Sequence, residues 1–352
     1  MLCHTDYSEE TLQALHTRLN PDKTVAIIDS NLRDGQRALL EPIFRVVPEN
    51  RRLYLTGGEE VKSLGLVKEI ALWLNRCRVT RHSLIYVVGG GSLLDFCGFV
   101  AAIYKRGVPI AYVPTTLMAM VDAAYGGKTA INTDDIKNLL GVFQEPNAIL
   151  LDERFLTTLS DREILSGYAE VLKYALLEDD QFFAKVLTTD PLNNGLGLRE
   201  LIDQCVTIKK RFVEADPYDL GIRQYLNLGH TVGHALEGFS HTLEPLGHPA
   251  LRHGEAVMIG IIVELYISHK MLGFPLERMH QIVDFAKEFF SPYFFECKQY
   301  NDIINLMLQD KKNSGDDIAI IALRRIGEPM KINASRVQLR NAFDFYREVI
   351  GG

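Results

Sequence analysis

Short runs rich in β-branched residues recur through the first half of the chain: Thr24–Ile28, Arg52–Leu55, Ser83–Val88, Ile110–Val113 and Ala148–Leu151. Between them lie longer stretches with apolar residues at helical spacing, notably Val61–Arg76 and Leu93–Lys105. Strands alternating with helices predict a mainly parallel α/β sheet, with ligands at the loops beyond the strand C-termini. After about Arg154 the pattern lengthens and turns helical, over Arg162–Leu177, Leu198–Glu214, Thr231–Phe239, Gly254–Leu272, Leu276–Glu288 and Ile303–Lys311. Only Ile318–Leu323 resembles a strand there, so the second half is expected to be all-helical.

A chain of 352 residues exceeds the size at which one hydrophobic core usually stops growing, which predicts two domains. A composition of 47% hydrophobic and 24% charged residues is that of a globular protein. The formal charge of −7 gives no electrostatic reason to expect nucleic acid or an anionic membrane as partner. The first ten residues lack the apolar core of a secretory signal. The longest apolar stretch, Ala256–Ile267, contains Glu264 and is too short to span a bilayer; it predicts a buried helix. Cys3, Cys77, Cys97, Cys205 and Cys297 show no C-x-x-C spacing, which suits reduced thiols and a cytoplasmic location.

Candidate chemistry starts after the strand ending at Val88, where Gly89-Gly90-Gly91 leads through Ser92-Leu93-Leu94-Asp95 to Gly98, expected to open the helix proper. Glycines at a strand-to-helix turn let backbone N–H groups approach a pyrophosphate, although the strict G-x-G-x-x-G spacing is not met. Gly57-Gly58-Glu59-Glu60-Val61-Lys62 forms a second glycine turn, with a carboxylate suited to a ribose hydroxyl. Between Pro114 and Asn138 stand Thr115, Thr116, Asp122, Gly126, Gly127, Lys128, Asn132, Lys137 and Asn138, a set suited to an oxyanion or phosphate but not a Walker loop.

In the helical half, Glu170 and Lys173 lie at i, i+3 on one helix face. His230 and His234 share a face at i, i+4, in Asn227-Leu228-Gly229-His230-Thr231-Val232-Gly233-His234-Ala235-Leu236-Glu237, and His253-Gly254-Glu255 opens the next apolar helix. Three imidazoles and nearby carboxylates are a set that can converge on one divalent ion; one Glu with two His and open positions would be catalytic. Lys209, Arg223 and the pair Lys311-Lys312 are further basic groups in polar stretches.

Taken in order, G-G-G-S-L-L-D, P-T-T-L, V-D-A-A-Y-G-G-K-T, K-N-L-L-G, A-E-V-L-K-Y, L-N-L-G-H-T-V-G-H, H-G-E-A-V and D-K-K-N resemble the 3-dehydroquinate synthase family, from Gly89 to Asn313. The resemblance implies a Rossmann-like α/β NAD-binding domain over residues 1–155, an all-α metal- and substrate-binding domain over 156–352, and a homodimer. It makes Glu170, His230 and His253 ligands of Zn2+ or Co2+, and His234 a proton-handling residue. NAD contacts are implied for Gly57, Gly58, Glu59, Lys62, Gly91, Ser92, Leu93, Leu94, Asp95, Thr115, Thr116, Asp122, Lys128, Lys137, Phe155, Leu156, Thr157 and Thr158. Substrate contacts are implied for Arg106, Asp122, Lys128, Asn138, Lys173, Lys209, Arg223, Asn227, His234 and Lys311 or Lys312.

The implied reaction converts 3-deoxy-arabino-heptulosonate 7-phosphate into 3-dehydroquinate and phosphate, in the shikimate pathway. Hydride leaves C5 for NAD+, a proton leaves C6 as phosphate leaves C7, the hydride returns, and ring opening with aldol closure forms the carbocycle, so net redox is zero. Ser92-Leu93-Leu94, Ala123-Ala124-Tyr125, Asp219 and the extra His248 depart from the family's usual pattern. They keep open another sugar phosphate cyclase, acting on sedoheptulose 7-phosphate, glucose 6-phosphate or an amino analogue. Further alternatives are a metal-dependent polyol or glycerol phosphate dehydrogenase, which would release NADH, and a non-catalytic paralogue.

Overall fold

The computed structural model describes residues 3–32, 36–133, 136–193, 197–308 and 317–350. The chain divides into two compact units, Met1–Ile164 with Asn193–Lys210, and Leu165–Leu192 with Arg211–Gly352.

The first unit is built on a six-stranded, all-parallel sheet in the order β1-β8-β5-β4-β2-β3. Its strands are β1 (Cys3–Asp6), β2 (Thr24–Asp29), β3 (Arg52–Leu55), β4 (Leu84–Gly89), β5 (Ile110–Pro114) and β8 (Ala148–Leu151). Four of them, β2, β4, β5 and β8, are buried at nearly every position, as both-face coverage requires, and this is why they read as continuous apolar runs. Helices α1 (Glu9–Leu19), α2 (Arg37–Val46), α3 (Leu64–Arg76) and α4 (Gly91–Ile103) connect them. Helix α4 starts at Gly91, not at Gly98. Gly98 sits inside the helix, where a Cβ would stand 2.2 Å from the Tyr112 hydroxyl and 2.5 Å from Thr129 Cγ2.

The polar stretch after Asp122 forms an antiparallel ribbon, β6 (Lys128–Thr133) with β7 (Ile136–Phe143), where the sequence suggested a binding loop. Thr129, Ile131 and Thr133 supply the β-branched alternation that favours it.

The second unit is mainly helical. The unit boundary falls within α5 (Asp161–Glu178) and within α7 (Arg199–Ala215), with α6 (Asp180–Thr188) between them. Then follow α8 (His230–Leu243), α9 (His253–Leu272), α10 (Leu276–Phe289), α11 (Tyr300–Leu308) and α12 (Arg336–Ile350). Helix α9 is buried on nearly all sides, as its apolar run predicts, and Glu264 is 0% exposed within it.

The unit is not wholly α. Ile318–Leu323 is a strand, β9, and it pairs antiparallel with β10 (Pro329–Ala334). β10 escapes notice in the sequence because Pro-Met-Lys-Ile-Asn-Ala alternates with polar residues and stays half-exposed. Among the described residues no helix is long and apolar enough to cross a membrane.

Candidate active site

In the second unit, glycines determine how closely three helices approach. A Cβ on Gly260 of α9 would lie 1.9 Å from the Gly229 carbonyl, and one on Gly233 of α8 would lie 3.1 Å from the Ala256 backbone. A Cβ on Gly254 would lie 1.9 Å from the Ser166 carbonyl of α5, and the Gly254 N–H donates to Ser166 Oγ at 3.1 Å. Glu170 follows Ser166 by one helical turn, so the same face of α5 carries it toward the start of α9.

There Glu170 Oε1 lies 3.4 Å from both His230 Nε2 and His253 Nε2. His230 Nδ1 is 3.0 Å from the Leu228 carbonyl, which can only accept, so Nδ1 carries the hydrogen and Nε2 presents a lone pair in the neutral ring. His253 Nδ1 is 3.2 Å from Glu237 Oε2, a carboxylate–histidine pair that likewise directs Nε2 toward Glu170. Glu170 Oε1, His230 Nε2 and His253 Nε2 thus converge, and Lys173 Nζ forms an ion pair with Glu170 Oε2. Glu170 is 0% exposed. Two imidazoles with one carboxylate are a donor set that suits a divalent ion with open positions.

Burial opposes the charge on Glu170, but Lys173 and His230 hold the carboxyl well below its usual range. Burial also opposes a proton on His253, yet hydrogen bonds and charge from Glu170 and Glu237 push it up to about 10, whereas burial lowers His230. His234 completes a cluster of three imidazoles whose ligand atoms all lie within 4.8 Å of one another, and it is the exposed member.

Glu255 serves as a cap, accepting the Arg252 N–H at 2.8 Å. His248 is exposed in the loop before α9 and stands outside the cluster. Arg223 is buried and donates to the Pro217 carbonyl at 2.7 Å, in a loop held by Asp216, whose carboxylate accepts three backbone N–H groups. Asn227 ends the 3-10 turn that leads toward His230. Lys311 and Lys312 lie outside the described residues.

In the first unit, the predicted glycines gather at the C-terminal edge of the sheet. Gly90 precedes α4 and offers no side-chain cap. Gly57 follows β3, where a Cβ would stand 2.3 Å from Asp29 Oδ2; Asp29 at the end of β2 accepts the N–H of Gly57 at 3.3 Å and of Asn31 at 3.1 Å. Sequence reasoning missed Asp29, although a carboxylate ending the second strand of an α/β unit is itself a signal.

Lys62, 4% exposed, pairs with Asp95 at 2.5 Å, lies 3.4 Å from Glu59 and donates to Asn138 Oδ1. Ser92 Oγ donates to Glu59 at 3.1 Å, and the Ala130 N–H donates to Asp95 at 3.0 Å. Burial raises the Asp95 carboxyl against the pull of Lys62. Lys209 donates to the backbone carbonyl and carboxylate of Asp122, at 2.6 and 2.8 Å. The Thr115 N–H donates to the Gly89 carbonyl at 3.0 Å, and Thr116 Oγ1 accepts from Ala119 at 3.2 Å.

Other predicted residues are placed differently. Leu93, Leu94, Phe155 and Leu156 bury their side chains in the core, which leaves their backbone for any ligand. Thr157 and Thr158 are exposed, and Gln36 donates to Thr158 Oγ1. Lys128 and Lys137 are exposed on the β6–β7 ribbon. Arg106 follows the C-terminus of α4, the far end of a helix of about 20 Å from Gly91. Tyr125 is 2% exposed, and burial, with Asp203 adding to it, raises its hydroxyl.

Family models described as 3-dehydroquinate synthase N-terminal and 3-dehydroquinate synthase C-terminal match residues 52–166 and 167–313. The chain is 39% identical over 345 residues to a 3-dehydroquinate synthase of Parabacteroides distasonis, covering 97% of this chain and 96% of that one. Among solved structures it is similar to 2-deoxy-scyllo-inosose synthase complexed with carbaglucose-6-phosphate, NAD+ and Co2+. The TM-score is 0.84 at 23% identity, over 97% of this chain and 95% of the other. It is also similar to 2-epi-5-epi-valiolone synthase from Streptomyces hygroscopicus subsp. jinggangensis 5008 with NAD+ and Zn2+, with TM-score 0.78 at 22% identity, over 99% and 96%. At these identities the structural likeness speaks for the fold: a parallel sheet flanked by helices, followed by a helical unit.

Proposed function

The chain belongs to the 3-dehydroquinate synthase family, and from that premise we propose that it converts 3-deoxy-arabino-heptulosonate 7-phosphate into 3-dehydroquinate and phosphate, as a phosphorus–oxygen lyase with transient NAD redox. The observation that carries the reading is the convergence of Glu170 Oε1, His230 Nε2 and His253 Nε2, with both Nδ1 atoms already engaged, in a chain matched almost end to end by such a synthase.

Glu170, His230 and His253 would hold a Zn2+ or Co2+ ion, which when bound supplies a Lewis acid for vicinal hydroxyls. The uncapped start of α4 at Gly91 would hold the NAD pyrophosphate, with Asp29 and Glu59 as acceptors for ribose hydroxyls; NAD when bound supplies a hydride acceptor and donor. The chain's own groups do the rest by position and charge. Lys173 compensates Glu170 and keeps it ionised in the interior. Lys209, fixed by Asp122, presents a fixed ammonium, and Arg223 presents a guanidinium suited to a carboxylate or phosphate. His234 moves a proton at its imidazole, the exposed member of the cluster.

Two coarser features complete the reading. The β6–β7 ribbon exposes Ile136, Leu140 and Phe143 at 55%, 43% and 50%, an apolar surface that a homodimer would cover. The free thiols Cys77, Cys97, Cys205 and Cys297 suit a cytoplasmic setting. The test is substrate choice. With NAD+ and Co2+, the heptulosonate phosphate should be turned over, while sedoheptulose 7-phosphate and glucose 6-phosphate remain intact. Preferential turnover of either of these carboxylate-free sugar phosphates would overturn the assignment.

A further inference from the structure

Helix α8, which carries His230 and His234, begins without a cap of its own: its N-cap is Gly229, in the left-handed region at φ 78°, and no side chain of α8 accepts its first N–H groups. The acceptor comes from the neighbouring helix. Glu264 of α9 is 0% exposed, and its Oε2 accepts the Gly229 N–H at 2.7 Å.

We infer that Glu264 is a positioning residue of the metal site, setting the register of α8 on α9 and with it the place of His230. The inference rests on the reading of Glu170, His230 and His253 as ligands of a divalent ion.

The two helices run antiparallel along a ladder of contacts. Glu264 meets Gly229 at one end, Gly260 meets Gly229 and Ala256 meets Gly233 along the middle, and His253 meets Glu237 at the other end. The glycine rungs bring the two backbones into close contact and set their separation. The carboxylates at the two ends add a directed hydrogen bond each, which sets the register along the helices. Glu264 lies eleven residues after His253, three turns further along nearly the same face, so one side of α9 supplies a ligand and fixes the helix that carries the second. His230 directly follows the residue that Glu264 grips. A shift of the Gly229 N–H therefore passes to the His230 ring, which is also tied to Leu228. An acceptor at a helix N-terminus is favoured by the orphan N–H groups and by the helix dipole, and in a buried site water cannot replace it.

The experiment compares wild type, Glu264→Gln, Glu264→Asp and Glu264→Leu, with His253→Ala as the ligand control. Co2+ affinity is measured by chelator competition, and the visible absorption of bound Co2+ reports ligand geometry. Gln keeps an acceptor oxygen at the same reach and should retain wild-type affinity and spectrum. Asp withdraws the oxygen by one methylene and Leu removes it; each folded variant should lose about tenfold or more in Co2+ affinity, the size expected of a support to a metal ligand, with an altered spectrum. Because Asp keeps the acid, it carries the test should Leu fail to fold. Wild-type affinity and spectrum in Asp, with only a lower unfolding temperature, would reduce Glu264 to a structural cap and overturn the inference. Wild type binding Co2+ no better than His253→Ala would instead overturn the metal assignment on which it rests.

Discussion

His230 and His253 each have Nδ1 engaged, by a carbonyl and by Glu237, which leaves both Nε2 atoms facing Glu170 Oε1 at 3.4 Å. Replacing His253 with Ala should abolish Co2+ binding, measured by equilibrium dialysis, while NAD+ binding, measured by calorimetry, stays near wild type. Metal retained at full affinity would move the ligand role to another residue, with exposed His248 the first to examine. Replacing Lys128 with Met should weaken NAD+ and substrate binding together; unchanged constants for both would remove it from the site. The spacing of Glu170 and Lys173, and of His230 and His234, was legible in the sequence because helical periodicity maps residue number directly onto a face. Glu237 stood in the same motif as a nearby carboxylate, without its place against His253 Nδ1, and Asp29 was not singled out. Their roles depend on which strand or helix packs beside them, and no local pattern reports that.

At the scale of elements, the continuous apolar runs identified the interior strands, since both-face burial leaves no polar alternation to confuse them. Strand β1, Cys-His-Thr-Asp, has no such run, and the ribbon strands β6 and β7 carry their lysines and asparagines outward, so these were read as terminus and loop. The pairing of β10 with β9 was likewise invisible, because it is a half-exposed edge. What organises the ligand-bearing helices is glycine. Gly260→Ala would place a methyl 1.9 Å from the Gly229 carbonyl, so the helices must separate. The expected cost is about 1–3 kcal/mol or more of stability, seen as a lower denaturant midpoint, together with weakened Co2+ affinity. Wild-type affinity in that variant would mean that the close crossing of α8 and α9 does not position the imidazoles.

At the scale of the whole molecule, two units were foreseeable from chain length, but contacts do not divide the chain at one point, since residues 193–210 group with the first unit. Such a return of the chain follows from packing and leaves no composition signature. The exposed apolar ribbon predicts a homodimer: light scattering should give twice the mass of one chain, and Phe143→Glu should shift the population toward monomer by desolvating a charge in the interface. A wild type that is monomeric at micromolar concentration would refute the dimer.

The central claim is the reaction. Protein loaded with Co2+ is mixed with NAD+ and 3-deoxy-arabino-heptulosonate 7-phosphate, while phosphate release and NADH absorbance are followed together. The account predicts many turnovers of phosphate per NAD, no accumulating NADH, and 3-dehydroquinate as product. Absence of phosphate release, or NADH rising in step with substrate loss, would contradict it.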